Sequence, residues 1–587
     1  MDRGWIPHDE GTLALAAERA GAGELAYRDF EGGYTGGLNY LHALGFAWFG
    51  TRLLSLRWVL YVFFLAFVPG VYAIARRFWP PPAAGLLVLA AVAWSVPNYF
   101  AGMPSWYNLF FAVFGTAALL RFSDTGRRRW LFLAGACGGL SILAKVSGLY
   151  FVAAALLFLV PASARAPEPD ATGRRRPAAF VGLVALGAAA LVALVAVLIR
   201  RRADWMEVLH FIVPPFALGV TLVVREAREG RGPSLGRCRA LLSLAAPFAA
   251  GVLLPVAIFL APYALSGSVK AFFEGLRDNT ARQIGTTKSL MFLPPFGTFW
   301  AALPYMALLA LPLAVPRRSR TVVALAAAAA LGLVLVLSGA TGVYLEVWHS
   351  ARSLAVVAVL VGCRFLLADG PAGGLPARRA DELFLLLAVA AMTSLVQFPF
   401  GASIYFCFVA PLAALALAAL VGLDARAPRA VHLAVLVFYV AFAVLRLNPA
   451  YVFLIGREPG AYRAPHRLAL ERGGLLVPEP DGREYEQLIA AIREVDGGRD
   501  LYAAPDCPEV YFLSGHRNLF RAFIDFQDRD YGRHDLILRR IEENGVRAVV
   551  VNGRPSFSRR LQGDFLAELT RRFPQSREIG RFTLRWR

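Results

Sequence analysis

A chain of 587 residues that is 57% hydrophobic and only 17% charged is unlike a soluble protein, which usually carries about 25% charged residues. Its mean hydropathy of +0.52 indicates a membrane protein. The formal net charge of +20 would suit nucleic-acid binding, but basic residues in a membrane protein collect in its cytoplasmic loops. We therefore expect membrane lipids as partners and no nucleic acid.

The chain opens with a polar segment, residues 1–54, before the first long apolar stretch. It has neither a signal peptide pattern nor a preceding span. Either the first span draws this segment across the membrane, or the gene begins upstream and encodes another apolar helix. We favour the second explanation and expect an additional helix before Gly4.

About fourteen apolar stretches follow between residues 55 and 447. A helix needs about 20 apolar residues to cross the hydrocarbon layer, so several of these are short, and 129–163 also fits a re-entrant pair. The predicted spans are 55–77, 82–99, 104–122, 129–145, 148–163, 178–199, 207–224, 239–264, 294–314, 320–338, 351–367, 382–397, 402–422 and 430–447.

Basic runs fall on alternate sides of successive spans, which predicts that they face the cytoplasm. They begin at Arg127, Gly173, Arg225, Pro316, Pro376 and Asp424. This orientation places residues 1–54 and everything after residue 447 outside the cytoplasm. Arg200, Arg201 and Arg202 disagree with it, so 178–224 is the least certain part of the topology.

The tail, residues 448–587, changes composition abruptly. It twice places an amphipathic helix before a Gly turn and a β-branched or apolar run, in GREYEQLIAAIREVDGGRDLYAAP and LILRRIEENGVRAVVVNG. We therefore predict an α-helical polytopic membrane protein, with an outer segment 1–54, a membrane domain 55–447 and a small α/β domain 448–587. The five cysteines show no metal-ligand spacing and no disulfide framework.

Carboxylates are concentrated in the N-terminal segment, at Asp9, Glu10, Glu24, Asp29 and Glu31. A carboxylate at the membrane surface can deprotonate a hydroxyl or an amine. Asp9 and Glu10 also fit an N-terminal helix cap before TLALAAERA. The N-terminal segment contains no DxD metal motif, and a divalent metal stays an open alternative.

The N-terminal segment, the stretch LRWVLYVFFLAFVPGVYAIARRF, the stretch RRRWLFLAGACGGLSILAKVSGLYFVAAALL and the tail domain together resemble the GT-C glycosyltransferases. This family uses lipid-phosphate sugars and includes protein O-mannosyltransferases, aminoarabinose transferases and the Rgt-type bacterial enzymes. The resemblance implies a multi-pass enzyme of the bacterial cytoplasmic membrane. Its substrates would be a polyprenyl-phosphate sugar donor and a glycan, lipid or protein acceptor, used at the outer face.

In this family an Asp of a DE pair in the first outer loop is the catalytic base. The match falls on Asp9, with Glu10 beside it. Many relatives carry a second acid in the next outer loop, but here that loop reads SVPNYFAGMPSWYN and has no carboxylate. Asn98, Asn108, Asp29 or Glu31 would then have to take that role.

Other polar residues at predicted outer helix ends are candidates for substrate binding. Lys145 fits either a phosphate ligand or a snorkelling lysine. Arg277, Arg282 and Lys288 lie in a basic amphipathic stretch that could bind a donor phosphate or rest on anionic headgroups. A third group shares the stretch YLEVWHSAR, where interfacial charges are functional candidates by default: Glu346, His349 and Arg352.

Three other classes of protein remain open. A transporter or lipid flippase would place carboxylates near mid-membrane, whereas the predicted spans contain almost none. An enzyme that joins preassembled glycans, or a phospholipid-modifying transferase, would show the same hydropathy pattern, so hydropathy does not separate these classes. A membrane anchor for the tail would not need fourteen spans.

Overall fold

The computed structural model describes residues 1–165, 178–200, 204–229, 233–286, 320–369, 374–399, 401, 403–423, 429–447, 463–495, 500–525, 532–561 and 563–587. Lys288, the predicted span 294–314 and the basic runs at 173, 316 and 424 lie outside these residues, apart from Arg320 and Arg429, the last residues of the second and third of these runs. The described part is a mostly helical protein with a small C-terminal sheet, as predicted.

The helices before the C-terminal domain are, in chain order, α1 Pro7–Gly21, α2 Gly37–Phe49, α3 Leu53–Ala75, α4 Pro81–Ala93, α5 Pro104–Thr125, α6 Arg129–Ala144, α7 Leu149–Ser163, α8 Ala178–Ile199, α9 Trp205–Glu207, α10 Val213–Glu229, α11 Ser234–Leu265, α12 Val269–Thr286, α13 Arg320–Leu337, α14 Thr341–Asp369, α15 Ala377–Thr393, α16 Ser403–Cys407, α17 Ala410–Leu423 and α18 Arg429–Arg446. Short 3₁₀ turns at Val96–Asn98, Val146–Gly148 and Ser394–Gln397, and a π-helix at Val208–Ile212, extend some of them.

Nine helical segments among the described residues are long and apolar enough to cross a membrane. They are Leu53–Ala75, Pro81–Asn98, Val146–Ser163, Ala178–Ile199, Trp205–Glu229, Ser234–Leu265, Thr341–Ala368, Ala377–Gln397 and Arg429–Arg446. Three more predicted spans coincide with shorter apolar helices, Arg129–Ala144, Thr321–Leu337 and Ala410–Leu423. The protein is therefore a multi-pass membrane protein, with fewer full-length spans in the described residues than the sequence predicted.

Small residues bring α6 and α11 into backbone contact. A Cβ on Gly135 would collide with the Phe248 carbonyl, and one on Gly251 would collide with the Phe132 carbonyl. In a membrane, where lipid is as apolar as the side chains, such close approach is what stabilises a helix pair. The pair holds the C-terminal end of α6, which carries Lys145, in a fixed place.

Ion pairs join helix ends at one end of the bundle. Arg77, after α3, donates to Asp124 of α5 at 2.8 Å and to Glu382 of α15 at 2.5 Å. Nearby, Arg225 of α10 donates to Asp381 at 2.9 Å. These two arginines thus lie at the end of the bundle where α5 ends and α6 begins, opposite to Lys145. The cytoplasmic assignment of this end stays a prediction.

The N-terminal segment lies at the other end of the bundle, against the C-terminal domain. Gly4 N donates to the Leu476 carbonyl at 2.8 Å, and Leu476 N donates to the Asp2 carbonyl at 2.7 Å. A Cβ on Gly11 would collide with the backbone of Glu509, so α1 packs directly on the C-terminal domain. The first and last parts of the chain therefore share one end of the bundle.

The C-terminal domain contains β1 His466–Arg467, β2 Leu476–Val477, α19 Glu479–Val495, β3 Asp500–Ala504, α20 Pro508–Ser514, β4 Arg517–Asn518, α21 His534–Glu543, β5 Ala548–Asn552, α22 Gly563–Arg572, β6 Gln575–Ile579 and β7 Phe582–Trp586. A five-stranded sheet has the order β4-β3-β5-β7-β6, with β4, β3 and β5 parallel and the other pairs antiparallel.

Helices cover both faces of this sheet. Val550 of β5 packs with the apolar side of α19 and α20, and its neighbour Val549 packs with α21 and α22. Successive side chains of a strand point to opposite faces, so the continuous apolar run AVVVN is buried on both. The predicted small α/β domain is confirmed. Its α19 and α20 face belongs to the same apolar core as α1 and the membrane helices.

Candidate active site

Asp9 lies in the first turn of α1, where the helix N-terminus favours an acidic side chain. The Tyr99 hydroxyl, just after the span Pro81–Asn98, donates to Asp9 Oδ2 at 2.6 Å. Asp9 Oδ1 lies 3.8 Å from His8 Nε2, and the Asp9 side chain is 26% exposed. One carboxylate oxygen is therefore fixed by a hydroxyl donor, and the other lies near the His8 ring.

Three further side chains surround Asp9 closely enough to interact with its charge: Tyr34, Lys145 and Tyr405. Lys145 Nζ lies 5.8 Å from the centre of the Tyr34 ring and 5.7 Å from that of Tyr405. All three are partly exposed. We call Asp9, Tyr34, Tyr99, Lys145 and Tyr405 the Asp9 cluster.

The tyrosines of the Asp9 cluster remain neutral hydrogen-bond donors. Burial raises the pKa of Tyr34, of Tyr99 and of Tyr405, and the charge of Asp9 raises each further. A neutral phenol close to a carboxylate can donate a hydrogen bond to it, or to another oxygen that arrives beside it.

Lys145 lies between α6 and the span Val146–Ser163, outside both. Its Nζ donates to Ser105 Oγ at 3.2 Å, and among the described residues it forms no ion pair. Burial lowers the pKa of Lys145 to about 8, although the nearby charge of Asp9 opposes this shift. Lys145 is thus a cation beside the carboxylate, with its charge uncompensated by direct contact.

Glu10 was predicted to take part in catalysis, and this stays a prediction. Its carboxylate is fully buried and accepts hydrogen bonds from Arg57, from Nε at 2.7 Å and from Nη2 at 2.8 Å. Arg57 also donates to the carbonyls of Met1, Arg3 and Gly4. Both oxygens of Glu10 thus accept a hydrogen bond from Arg57, and the pair joins the start of α1 to α3.

Asp29 is also held by local bonds. Leu25 N donates to Asp29 Oδ2 at 2.7 Å, and Arg28 Nη2 donates to the same oxygen at 2.6 Å. These bonds shape the turn between α1 and α2, and with the Arg28 charge they lower the pKa of Asp29 against the opposing effect of desolvation. A substrate-binding role for Asp29 stays a prediction.

The structure brings together two residues that the sequence analysis treated separately, Glu31 and Arg282. Glu31 is buried, and its carboxylate lies 4.0 Å from Arg282 Nη2 of α12 and 3.7 Å from Arg521 Nε of the C-terminal domain. This three-residue cluster joins the first segment, α12 and the C-terminal domain. Binding of substrate by Glu31 or Arg282 stays a prediction.

His349 and Arg352 lie one turn apart on α14. Arg352 donates to the Gly401 carbonyl at 2.8 Å and so supports the segment that leads to Tyr405. The hydrogen bonds and ion pairs of Asp9 and Lys145 within the described residues include neither His349 nor Arg352. Lys288, the remaining candidate, lies outside the described residues.

The sequence analysis missed the three tyrosines of the Asp9 cluster. Tyr34 follows a Gly pair and precedes α2, whereas Tyr99 is the last residue of the predicted span 82–99 and Tyr405 falls inside the predicted span 402–422. The three tyrosines therefore share no signal in the sequence. Among the described residues, no three His, Cys, Asp or Glu side chains are grouped to hold a metal ion.

Residues 37–168 match the family model described as dolichyl-phosphate-mannose-protein mannosyltransferase. The matched segment includes Lys145 and Tyr99 and begins after Asp9. The match confirms, over these residues, the predicted resemblance to lipid-phosphate-sugar-dependent glycosyltransferases. No curated protein matches the chain.

Solved structures with a similar chain trace include ArnT from Cupriavidus metallidurans in the apo state, at 15% identity and a TM-score of 0.34, over 100% of this chain and 94% of ArnT. ArnT bound to undecaprenyl phosphate matches at 13% identity and 0.33, over 99% and 94%. The oligosaccharyltransferase AglB from Archaeoglobus fulgidus, with an inhibitory peptide and a dolichol-phosphate, matches at 13% and 0.38, over 93% and 65%. All three TM-scores are below 0.5. The resemblance to lipid-phosphate-sugar-dependent glycosyltransferases therefore rests on the family match and not on these structural similarities.

Proposed function

We propose, from the family match over residues 37–168 and the geometry of the Asp9 cluster, that this chain is a membrane glycosyltransferase. It would move a sugar from a polyprenyl-phosphate donor to a glycan, lipid or protein acceptor at the outer face of the bacterial cytoplasmic membrane. The observation that carries the proposal is a carboxylate, Asp9, and a lysine, Lys145, that are close enough for their charges to interact but form no direct ion pair. These are the two charges that such a transfer requires.

The chemistry divides between these two groups. Asp9 Oδ1 accepts the proton of the acceptor hydroxyl or amine as that oxygen or nitrogen bonds to the anomeric carbon. The bond from the anomeric carbon to the phosphate oxygen breaks, and the electron pair leaves with the polyprenyl phosphate. Lys145 stabilises the negative charge of the departing phosphate. Tyr99 keeps Asp9 Oδ2 fixed, so that the basic oxygen has one orientation.

The apolar helices support a lipid-linked donor. A polyprenyl chain stays in the hydrocarbon layer, and its phosphate lies at the interface, where the ends of α6 and α1 bring Lys145 and Asp9 together. The three parts of the chain then have distinct roles, with residues 1–54 supplying the base, residues 55–447 holding the donor and residues 448–587 covering the site.

The deciding experiment incubates the purified full-length protein with a panel of polyprenyl-phosphate sugars and measures released polyprenyl phosphate. Wild type should release it with at least one donor, and Asp9→Asn should lower kcat by about 10² to 10⁴-fold, because the amide cannot accept a proton. Asp564→Asn is the control, since that residue is exposed on α22. If folded wild type fails with every donor, the transport and glycan-joining alternatives are favoured. If Asp9→Asn keeps more than about a tenth of wild-type turnover, the base is assigned wrongly.

A further inference from the structure

The loop after β5 reaches from the C-terminal domain to the start of α1. It runs from Gly553 to Leu561, and we call it the Phe557 loop. The Phe557 and His8 rings meet edge to face, with centroids 4.6 Å apart at an angle of 88°. His8 Nε2 in turn lies 3.8 Å from Asp9 Oδ1. The C-terminal domain therefore contacts the neighbour of the proposed base.

A buried carboxylate holds the Phe557 loop in this position. Asp506 Oδ2 accepts hydrogen bonds from Phe557 N at 2.8 Å and Ser558 N at 2.7 Å, and Asp506 Oδ1 accepts one from Ser558 Oγ at 2.6 Å. Asp506 is only 3% exposed. Asn552 fixes the base of the loop, because its side-chain oxygen accepts a bond from Arg554 N at 2.9 Å.

The backbone of Asp506 has an uncommon conformation that is held by the hydrogen bonds around it. Asp506 has a φ of +55°, in the left-handed region that residues other than Gly rarely occupy. Its own N donates to Asp525 Oδ2 at 2.6 Å. Such conformations persist where several bonds over-determine them, and they are concentrated at functional sites. Here the bonds of Asp506 serve the loop that leaves the domain towards α1.

We propose that Asp506 and Phe557 are positioning residues for the transfer reaction: Asp506 holds the Phe557 loop, and Phe557 fixes the His8 ring and with it the segment that presents Asp9. This inference rests on the proposed function. It implies that the C-terminal domain is a working part of the site, since a displacement of about 1 Å at a catalytic group can lower the rate about 10²-fold.

The test compares Phe557→Ala, Phe557→Tyr, Asp506→Asn and the exposed control Asp564→Asn in the full-length protein. The first measurement is the rate at which diethylpyrocarbonate modifies His8, read by mass spectrometry of its peptide. The His8 side chain is only 17% exposed, so loss of the Phe557 ring should raise this rate several-fold. His466, which pairs with Glu486 at 3.0 Å, is the internal reference and should not change.

The second measurement is steady-state transfer with the best donor. Phe557→Ala and Asp506→Asn should lower kcat about tenfold or more while the donor KM stays within about twofold, because Asp9 is misplaced and the donor contacts remain. Phe557→Tyr keeps the ring edge and should restore most of kcat. Phe557→Ala keeps the test valid if Asp506→Asn does not fold.

Faster His8 modification together with lower kcat and rescue by Phe557→Tyr supports the inference. An unchanged His8 rate in Phe557→Ala overturns it, and so does a raised rate with unchanged kcat. A wild-type protein that transfers no sugar overturns the proposed function and this inference with it. Failure of the proposed function is seen in the wild-type protein alone. The contact between His8 and Phe557 is tested separately, because the rate of His8 modification can be measured whether or not the protein transfers sugar.

Discussion

Arg57 donates two hydrogen bonds to the Glu10 carboxylate, and both side chains are buried. Asp9, one position earlier, is partly exposed and accepts a hydrogen bond from Tyr99. Two adjacent acids of the same helical turn thus have different environments. One is buried against a guanidinium, and the other is partly exposed.

Loss of the ion pair between Glu10 and Arg57 should lower the stability of the protein more than its rate of transfer. Glu10→Gln leaves the Arg57 charge buried without its counter-ion, which typically costs about 3–5 kcal/mol of unfolding free energy. The measurement is the thermal unfolding midpoint in detergent. Glu24→Gln is the control, because its pair with Arg19 is partly exposed and such pairs contribute about 0–1 kcal/mol. A normal melt with lost turnover would instead make Glu10 catalytic.

Donor binding should weaken at alkaline pH because of Lys145. Its pKa is lowered to about 8, so the cation is lost as the pH rises through that value and the donor KM should increase. Lys145→Arg should remove this increase, because a guanidinium stays charged. Lys145→Ala should raise the donor KM about 10 to 100-fold at pH 7. This is the change in affinity that the loss of one hydrogen bond to a charged group usually causes.

Lys270→Ala is the matched control for Lys145, since the Lys270 side chain is 86% exposed on α12. It should leave the donor KM and its pH profile unchanged. A flat pH profile in wild type between pH 7 and 9 would show that Lys145 does not bind the phosphate.

Because α1 lies so close to the C-terminal domain, substitution of Gly11 should destabilise the protein. In Gly11→Ala the new Cβ meets the Glu509 backbone, which cannot move aside as a flexible side chain can. We expect a loss of about 1–3 kcal/mol of stability, as in other overpacked contacts. Gly85→Ala in α4 is the control, because its Cβ would enter open space. Equal melting temperatures for the two variants would refute the packing of α1 on α20.

The two ends of the bundle should be labelled from opposite sides of the membrane. Cysteines introduced at Thr125 and at Asp564, both exposed, should react with an impermeant maleimide in inverted vesicles and in intact cells, respectively. The reason is the gathering of basic helix ends near Thr125, away from the C-terminal domain. Reaction of both positions from the same side would contradict this topology.

The sequence predicted the parts of this protein that depend on local pattern. Hydropathy gave the helices, and the apolar run AVVVN after an amphipathic helix gave the sheet of the tail. It could not predict that Arg57 binds Glu10 or that Arg521 lies beside Glu31, because those partners are 47 and 490 positions away and nothing local marks them. It also could not gather Tyr34, Tyr99 and Tyr405, since which loop tyrosines meet depends on how the helices pack.

The contacts between the first segment and the C-terminal domain set the order of events during synthesis. Arg19 binds the Phe520 carbonyl across 501 positions, and Arg521 binds the Tyr27 carbonyl across 494. At about 5–20 residues per second, the ribosome makes the partners of this segment roughly 25 to 100 s after the segment itself. During this time the segment that carries Asp9 lacks its contacts with the C-terminal domain. A chain interrupted before the C-terminal domain would hold the described membrane helices and still lack the partners of this segment.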